Sequence, residues 1–341
     1  IGGGLFVLPG ALIIAVLALA YGTFGNLPVV QALFLGVKAA VVIIVIGAFI
    51  KIAKRALIKP SHKWLAFTAF VALFVFALPF PLVILIAALF GAIGASSTQA
   101  TTPLPTGSMR KSVAILSTGC LLWAAPIVVV VLSDNRFLVE VGVFFSTLAV
   151  VTFGGAYAVL AYMTQEVVVT FGWLRTAQMM DALGLAETTP GPLILVTQFV
   201  GMIAGLSEGG ITMALIAGVL TLWVTFVPCF IWIFAGAPLI DWLDGRPRLQ
   251  GSLAAITAAV VGVIANISLW FALHVFFATV VPLHWGPVQS IWPQLETLQL
   301  LPVGLAAIAA VLLLKKGWSL PRVLLISAAL SLIFNLLSGF F

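Results

Sequence analysis

Between Pro28 and Ile50 the chain runs for 23 residues with a single charge, Lys38. A helix of about 20 apolar residues, rising ~1.5 Å per residue, crosses the ~30 Å hydrocarbon core of a bilayer. Comparable runs recur along almost the whole sequence. They leave room for few charges: 7% of the 341 residues are charged, and the mean hydropathy is +1.29. Soluble globular chains carry roughly 25% charge. A soluble enzyme, a nucleic-acid-binding protein and a disordered chain are therefore excluded. Unbroken stretches such as Ala39 to Ile50 lack the apolar–polar alternation of a membrane β-barrel. The expected fold is an all-α polytopic membrane protein.

Breaking the apolar runs at polar, Pro or Gly interruptions predicts about eleven transmembrane or half-membrane helices, at 1–21, 28–50, 64–78, 80–95, 113–132, 137–153, 192–206, 211–240, 250–277, 300–314 and 322–337. If each crosses once, thirteen of the fifteen basic residues share one side: Lys51, Lys54, Arg55, Lys59, Lys63, Arg110, Lys111, Arg175, Arg246, Arg248, Lys315, Lys316 and Arg322. Positive-inside bias makes that side the cytoplasm. Arg136 falls on the other side, and Lys38 lies within a span. The tryptophans, among them Trp64, Trp285, Trp292 and Trp318, gather near run ends, where indole rings anchor at the interface. Cys120 and Cys229 lie in apolar runs, and His62, His274 and His284 are scattered, so no metal or nucleophile constellation is visible and no cofactor is expected.

Sliding the chain against itself by 219 positions aligns Pro9 with Pro228, Pro28 with Pro247 and Gln31 with Gln250. It also superposes Ala39-Ala40-Val41-Val42 on Ala258-Ala259-Val260-Val261. Seven runs separate the two copies, an odd number, so the second copy is predicted to be inverted, as in many transporters. The expected organisation is a partial repeat over 1–95, a polar Ser/Thr/Pro-rich linker over 96–112 and a complete repeat over 113–341. Residues 141–219 then have no counterpart in the first copy. The reading predicts that about 79 residues precede Ile1 in a longer protein.

Between 154 and 190 the chain is too apolar for a loop and too interrupted for one span. It reads Phe153-Gly154-Gly155-Ala156-Tyr157, Gln165-Glu166, Gly172-Trp173, Asp181-Ala182-Leu183-Gly184, then Glu187-Thr188-Thr189-Pro190-Gly191-Pro192 and Gln198-Phe199-Val200-Gly201. This order of elements, with Val7-Leu8-Pro9 and Phe226-Val227-Pro228 as paired proline motifs, resembles the chromate ion transporter superfamily in its two-domain form. The resemblance covers essentially the whole chain and implies a secondary transporter that moves chromate outward, with sulfate-like oxyanions as relatives. It implies Gly154, Gly155, Tyr157, Thr188, Thr189, Gly191 and Gln198 as substrate-binding positions. Pro190, Pro192, Pro9 and Pro228 are the helix-breaking positions.

The residues themselves point the same way. Thr189 followed by Pro190 reads as a helix start, with Thr as cap and Pro at the first position. Such a helix aims free N–H groups and partial positive charge at an anion. Gly154-Gly155 offers a second start where backbone can approach a ligand closely. Kinks alone are the plain alternative, since Gly and Pro are common in membrane helices. Glu187, Asp181 and Glu166 would repel a dianion when ionised, so they are candidates for proton coupling rather than ligands. The alternative for this acidic stretch is an interfacial helix from Trp173 to Glu187, with Arg175 and Asp181 among headgroups. Lys38 is a candidate substrate attractant; alternatively it snorkels or pairs with a carboxylate such as Glu140.

The favoured function is oxyanion secondary transport at a bacterial cytoplasmic membrane, driven by an ion gradient. An uptake permease or channel for sulfate-like anions is the competing class. A membrane-embedded enzyme would need a nucleophile or metal ligands that the sequence does not display. The expected partners are the oxyanion, the lipid bilayer and a second copy in a homodimer, with no nucleic acid.

Overall fold

Three helices announce themselves by proline. Pro28, Pro60 and Pro247 each open a helix, and the residues before them, Leu27, Lys59 and Arg246, are extended. Proline's fixed φ suits the first turn, its missing N–H has no intrahelical partner to lose, and it pushes its predecessor out of the α region. A computed structural model describes residues 2–95, 106–151, 155–189, 191–237 and 245–338, with only the backbone of 106–111. Among them the order is α1 (Gly2–Phe24), α2 (Pro28–Ala56), α3 (Pro60–Phe74), α4 (Phe80–Gly94), α5 (Thr106–Leu132), α6 (Arg136–Val151), α7 (Ala156–Thr164), α8 (Thr176–Thr188) and α9 (Val196–Gly236). Then come α10 (Pro247–Phe276), a hairpin of β1 (Val280–Trp285) and β2 (Val288–Pro293), α11 (Leu300–Ala310) and α12 (Leu320–Ser338).

Six of these segments are long and apolar enough to cross a membrane: Gly2–Phe24, Pro28–Ala56, Ser112–Leu132, Leu193–Gly236, Pro247–Phe276 and Leu320–Leu337. The chain is an all-α, multi-pass integral membrane protein, with one small hairpin. Part of the stretch expected as a linker over 96–112 is helical, because α5 begins at Thr106.

At the centre, α2 packs against α10; α10 also contacts α3 and α4, while α2 contacts α11 and α12. The twin Ala-Ala-Val-Val segments are the buried middles of α2 and α10, each residue at most 3% exposed. Small residues let these helices approach through their backbones. A Cβ added to Gly91 would strike Gly251, one on Gly262 would strike Ala66, and one on Gly36 would strike Ser327 and Ala328.

The segments expected at 192–206 and 211–240 form two limbs of α9, broken where Gly209 (φ −153°, ψ 26°) and Gly210 (φ 71°, ψ −159°) leave helical geometry. Gly201 lies against Thr221, Gly205 against Ala214 and Gly218 against Met202, so the limbs run back to back. Residues 278–299, which carry no lysine or arginine, lie between the expected spans 250–277 and 300–314. They form a hairpin that pairs Val280 with Pro293 through Trp285 with Val288, turning at Gly286 (φ 58°) and Pro287. A positive φ followed by proline suits the tight hairpin turn with glycine first.

Residues 155–188 form a helical hairpin rather than an interfacial helix. α7 continues into a π-helical segment, Gln165–Thr170, and α8 returns from Thr176. Trp173 at the tip stacks on Phe171 (4.4 Å between centroids) and meets Phe137 at the start of α6 (5.9 Å). Gln178 shares a cavity wall with Gly22, Gly25 and Asn26 at the end of α1. The tip thus lies opposite the basic loops that follow α2 and α11. Arg175 therefore leaves the basic side assigned to it by counting runs. The parity error arises because this stretch goes in and comes back without crossing.

Candidate functional site

Three segments stop short of a full crossing in this region: α6 has 16 residues, α7 and its π extension 9 and 6, and α8 has 13. The first limb of α9 is equally short, ending at Gly209. At ~1.5 Å per residue each reaches only about 20–24 Å. Their inner ends converge. Gly191, just past α8, sits beside Gly10 of α1, and Gln198 Nε2 donates to Ala11 O at 3.1 Å. Irregular backbone at membrane depth survives only where protein or a wet cavity satisfies it.

The break is written in local chemistry. Thr189 precedes a proline and is extended (φ −86°, ψ 134°), so α8 ends there. Gly191 then takes φ +131°, a region that favours glycine. This corrects the expectation that Thr189 starts a helix. Thr188 and Thr189 both close α8, and both hydroxyls donate back to Leu185 O, at 2.8 and 2.6 Å. Helix resumes later, as a 3₁₀ turn at Leu193–Leu195 preceded by Pro192. Neither that turn nor α7, which opens at Gly155 (φ 109°, ψ 174°), has a side-chain cap. Two uncapped N-termini with free N–H donors thus face the convergence. Thr188, Gly155 and Gly191 are exposed there. Gly154 and Pro190 lie outside the described residues.

On α8, one and a half turns above Glu187, sits Asp181. Lys38 Nζ of α2 lies 3.0 Å from Asp181 Oδ1, and the Tyr21 hydroxyl of α1 donates to Asp181 Oδ2 at 2.7 Å. The two charged side chains are 18% and 8% exposed. Gly184 makes this possible, because any Cβ there would collide with Val37 of α2. Asp181 is thus buried, not in a headgroup layer. The partner of Lys38 is Asp181, whereas Glu140 pairs with Arg136 on its own helix at 2.9 Å. Glu187, half-buried, accepts from the Tyr157 hydroxyl at 2.9 Å.

Other predicted positions lie apart from this cluster. Glu166 lines a separate cleft of about 360 Å³ with Glu140, Thr147 and Tyr162. Pro9 and Pro228 sit inside α1 and α9, Pro228 buried. Sequence reasoning missed Tyr21. Its signal was rarity: of three tyrosines in the chain, two donate to α8 carboxylates.

Broken half-helices around a buried ion pair define a multi-pass membrane protein with a polar centre at membrane depth; in a bacterium, an α-helical protein of this kind resides in the cytoplasmic (inner) membrane. The family model described as "Chromate transporter" matches residues 1–92 and 139–333. The chain belongs to the chromate transporter family. It is 28% identical over 279 residues to a chromate transport protein of Cupriavidus metallidurans, covering 77% of this chain and 62% of the relative. It is 26% identical over 285 residues to a probable chromate transport protein of Synechococcus elongatus, covering 76% and 63%. A chromate transport protein of Pseudomonas aeruginosa is 28% identical over 265 residues, covering 76% and 60%. The chain thus spans about six-tenths of the length of these relatives. No solved structure matches it.

Proposed function

We infer that the chain carries the substrate site of a secondary transporter that moves chromate, or a sulfate-like tetrahedral oxyanion, out across the cytoplasmic membrane at the expense of a proton gradient. The observation that carries this reading is the Lys38–Asp181–Tyr21 cluster, an ion pair held at membrane depth on α8, the helix whose inner end meets the start of α7 through Glu187 and Tyr157. A buried charge is costly, and in membranes it marks a substrate or ion path. The relatives named as chromate transport proteins supply the substrate class.

In this mechanism the ionised Asp181 neutralises Lys38, so a dianion finds little net charge. The oxyanion arriving from the cytoplasm displaces Asp181 from the Lys38 ammonium and binds there with the N–H groups at Gly155–Tyr157 and Leu193–Ile194. Glu187, held by Tyr157, stands at the exposed inner end and gives the proton a second station. Re-formation of the ion pair expels the anion outward, and a proton taken up by Asp181 from outside then returns inward, so the two cargoes cross in opposite directions. An inverted two-fold repeat suits such alternating access. It is supported by the offset of 219, which carries α2 onto α10 and α4 onto α11 with matching starts. It also carries α3 onto the β-hairpin, where the copies diverge.

The test is chromate uptake into everted membrane vesicles with and without an imposed proton gradient. Uptake that rises with the gradient and stops when it is collapsed supports the reading. Uptake indifferent to the gradient would assign a channel or permease instead.

A further inference from the structure

Tyr21 has a second face. Its hydroxyl bonds Asp181, while its ring also lines a small cavity of about 180 Å³ at the end of α1, opposite the basic loops. Asn26, Gln178 and Ser207 supply polar side chains to that cavity, and Gly22 and Gly25 leave backbone bare. A side chain at Gly22 would run into Leu206 and fill the space. In a chain this apolar, a cavity walled so largely by polar groups is a place for water. Among its lining residues, Tyr21 is the one whose hydroxyl bonds the buried ion pair.

We propose that this cavity is the outer entry port of the coupling proton, and that Tyr21 is the positioning residue that hands it to Asp181. The proposal rests on the proton-coupled reading above and adds the route and the side of entry. A hydronium in the cavity gives a proton to the Tyr21 oxygen as the hydroxyl passes its own proton to Asp181 Oδ2. One proton moves, water remains, and the phenol ends as it began. The charged group facing Asp181 is Lys38 from α2, and Arg175 at the start of α8 acts on Tyr21; Glu208 follows Ser207 in the chain. Entry opposite the basic loops is entry from outside the cytoplasm, the side from which protons drive export.

The experiment reconstitutes the chain in proteoliposomes and measures two rates, chromate accumulation driven by a proton gradient and exchange of labelled for unlabelled chromate without one. Tyr21→Phe is expected to lower the ratio of driven accumulation to exchange at least tenfold. Ser207→Cys, in a background of Cys120→Ala and Cys229→Ala, is expected to react with a membrane-impermeant thiol reagent only from the side opposite the basic loops. That modification should lower the same ratio. A Tyr21→Phe ratio within twofold of the parent, or labelling only from the basic side, overturns the port. If Asp181→Asn keeps the parent ratio, the coupling role of Asp181 fails and the port falls with it. If the parent chain shows no exchange at all, the transport reading itself fails.

Discussion

Asp181→Asn is the most informative single change, because asparagine keeps the shape and the acceptor for Tyr21 while removing the charge. The Lys38–Asp181 separation of 3.0 Å corresponds to about 5 kcal/mol of attraction at an effective dielectric of 20. Not all of that appears as stability, since both ions lose hydration on burial. Deleting one partner of a buried pair typically costs about 3–5 kcal/mol, because the other is stranded. Lys38→Met strands Asp181 in the same way. The double variant strands neither, so its cost should fall short of the sum of the singles by at least ~2 kcal/mol. Thermal unfolding of the detergent-solubilised protein, with both singles and the double, measures this. The same replacement frees the Lys38 ammonium for substrate. If ~2 kcal/mol of the released attraction is transferred to a bound dianion, Asp181→Asn binds chromate about 30-fold more tightly, read by equilibrium dialysis, and Lys38→Met binds more weakly. Additivity of the singles within ~0.5 kcal/mol, or an unchanged affinity in Asp181→Asn, would refute the reasoning.

Glu187→Gln should abolish gradient-driven chromate transport while leaving membrane insertion intact; driven transport at the parental rate counts against a proton station there. Gly191→Ala forces a side chain into φ +131° and against Leu195 Cδ1 at 3.1 Å, so a loss of about 1–3 kcal/mol is expected, checked as a lowered midpoint of thermal unfolding. Arg175→Cys, in the same cysteine-free background, should be labelled by an impermeant reagent from the side opposite Lys315 and Lys316. Labelling from their side would restore the simple run count.

Much of the architecture could be read from the apolar runs. α2, α10, α11 and α12 lie close to where the hydropathy put them, because a membrane helix must satisfy its own backbone and so needs little tertiary information. The hairpin from 155 to 188 could not be placed that way. Its segments are too short to score as spans, and whether such a segment crosses or turns back depends on what Trp173 and Tyr21 meet in the fold. Counting crossings therefore carried Arg175 to the wrong side. The site was half legible. Lys38 and Asp181 stood out singly as costly charges, but their pairing joins positions 143 apart in sequence, and nothing in local spacing encodes it. Thr189 was misjudged because Thr-Pro suits a helix start and a helix end alike. Its back-bond to Leu185 settles the matter.

The reversal in α9 bears on mechanics. Its limbs touch through glycine, with Gly205 against the backbone of Met213 and Ala214, and Gly201 and Gly218 each against the opposing limb. Contacts that close leave no slack for one limb to slide past the other, so the pair transmits force as a single stiff lever. Any rocking of this lever has to be taken up at its ends. One end is the loop at Gly191, where a glycine at φ +131° rests against Gly10 of α1, and along the first limb Phe199 packs against the Tyr21 ring at 5.5 Å. Through Phe199, a tilt of the lever would change how Tyr21 is presented to Asp181.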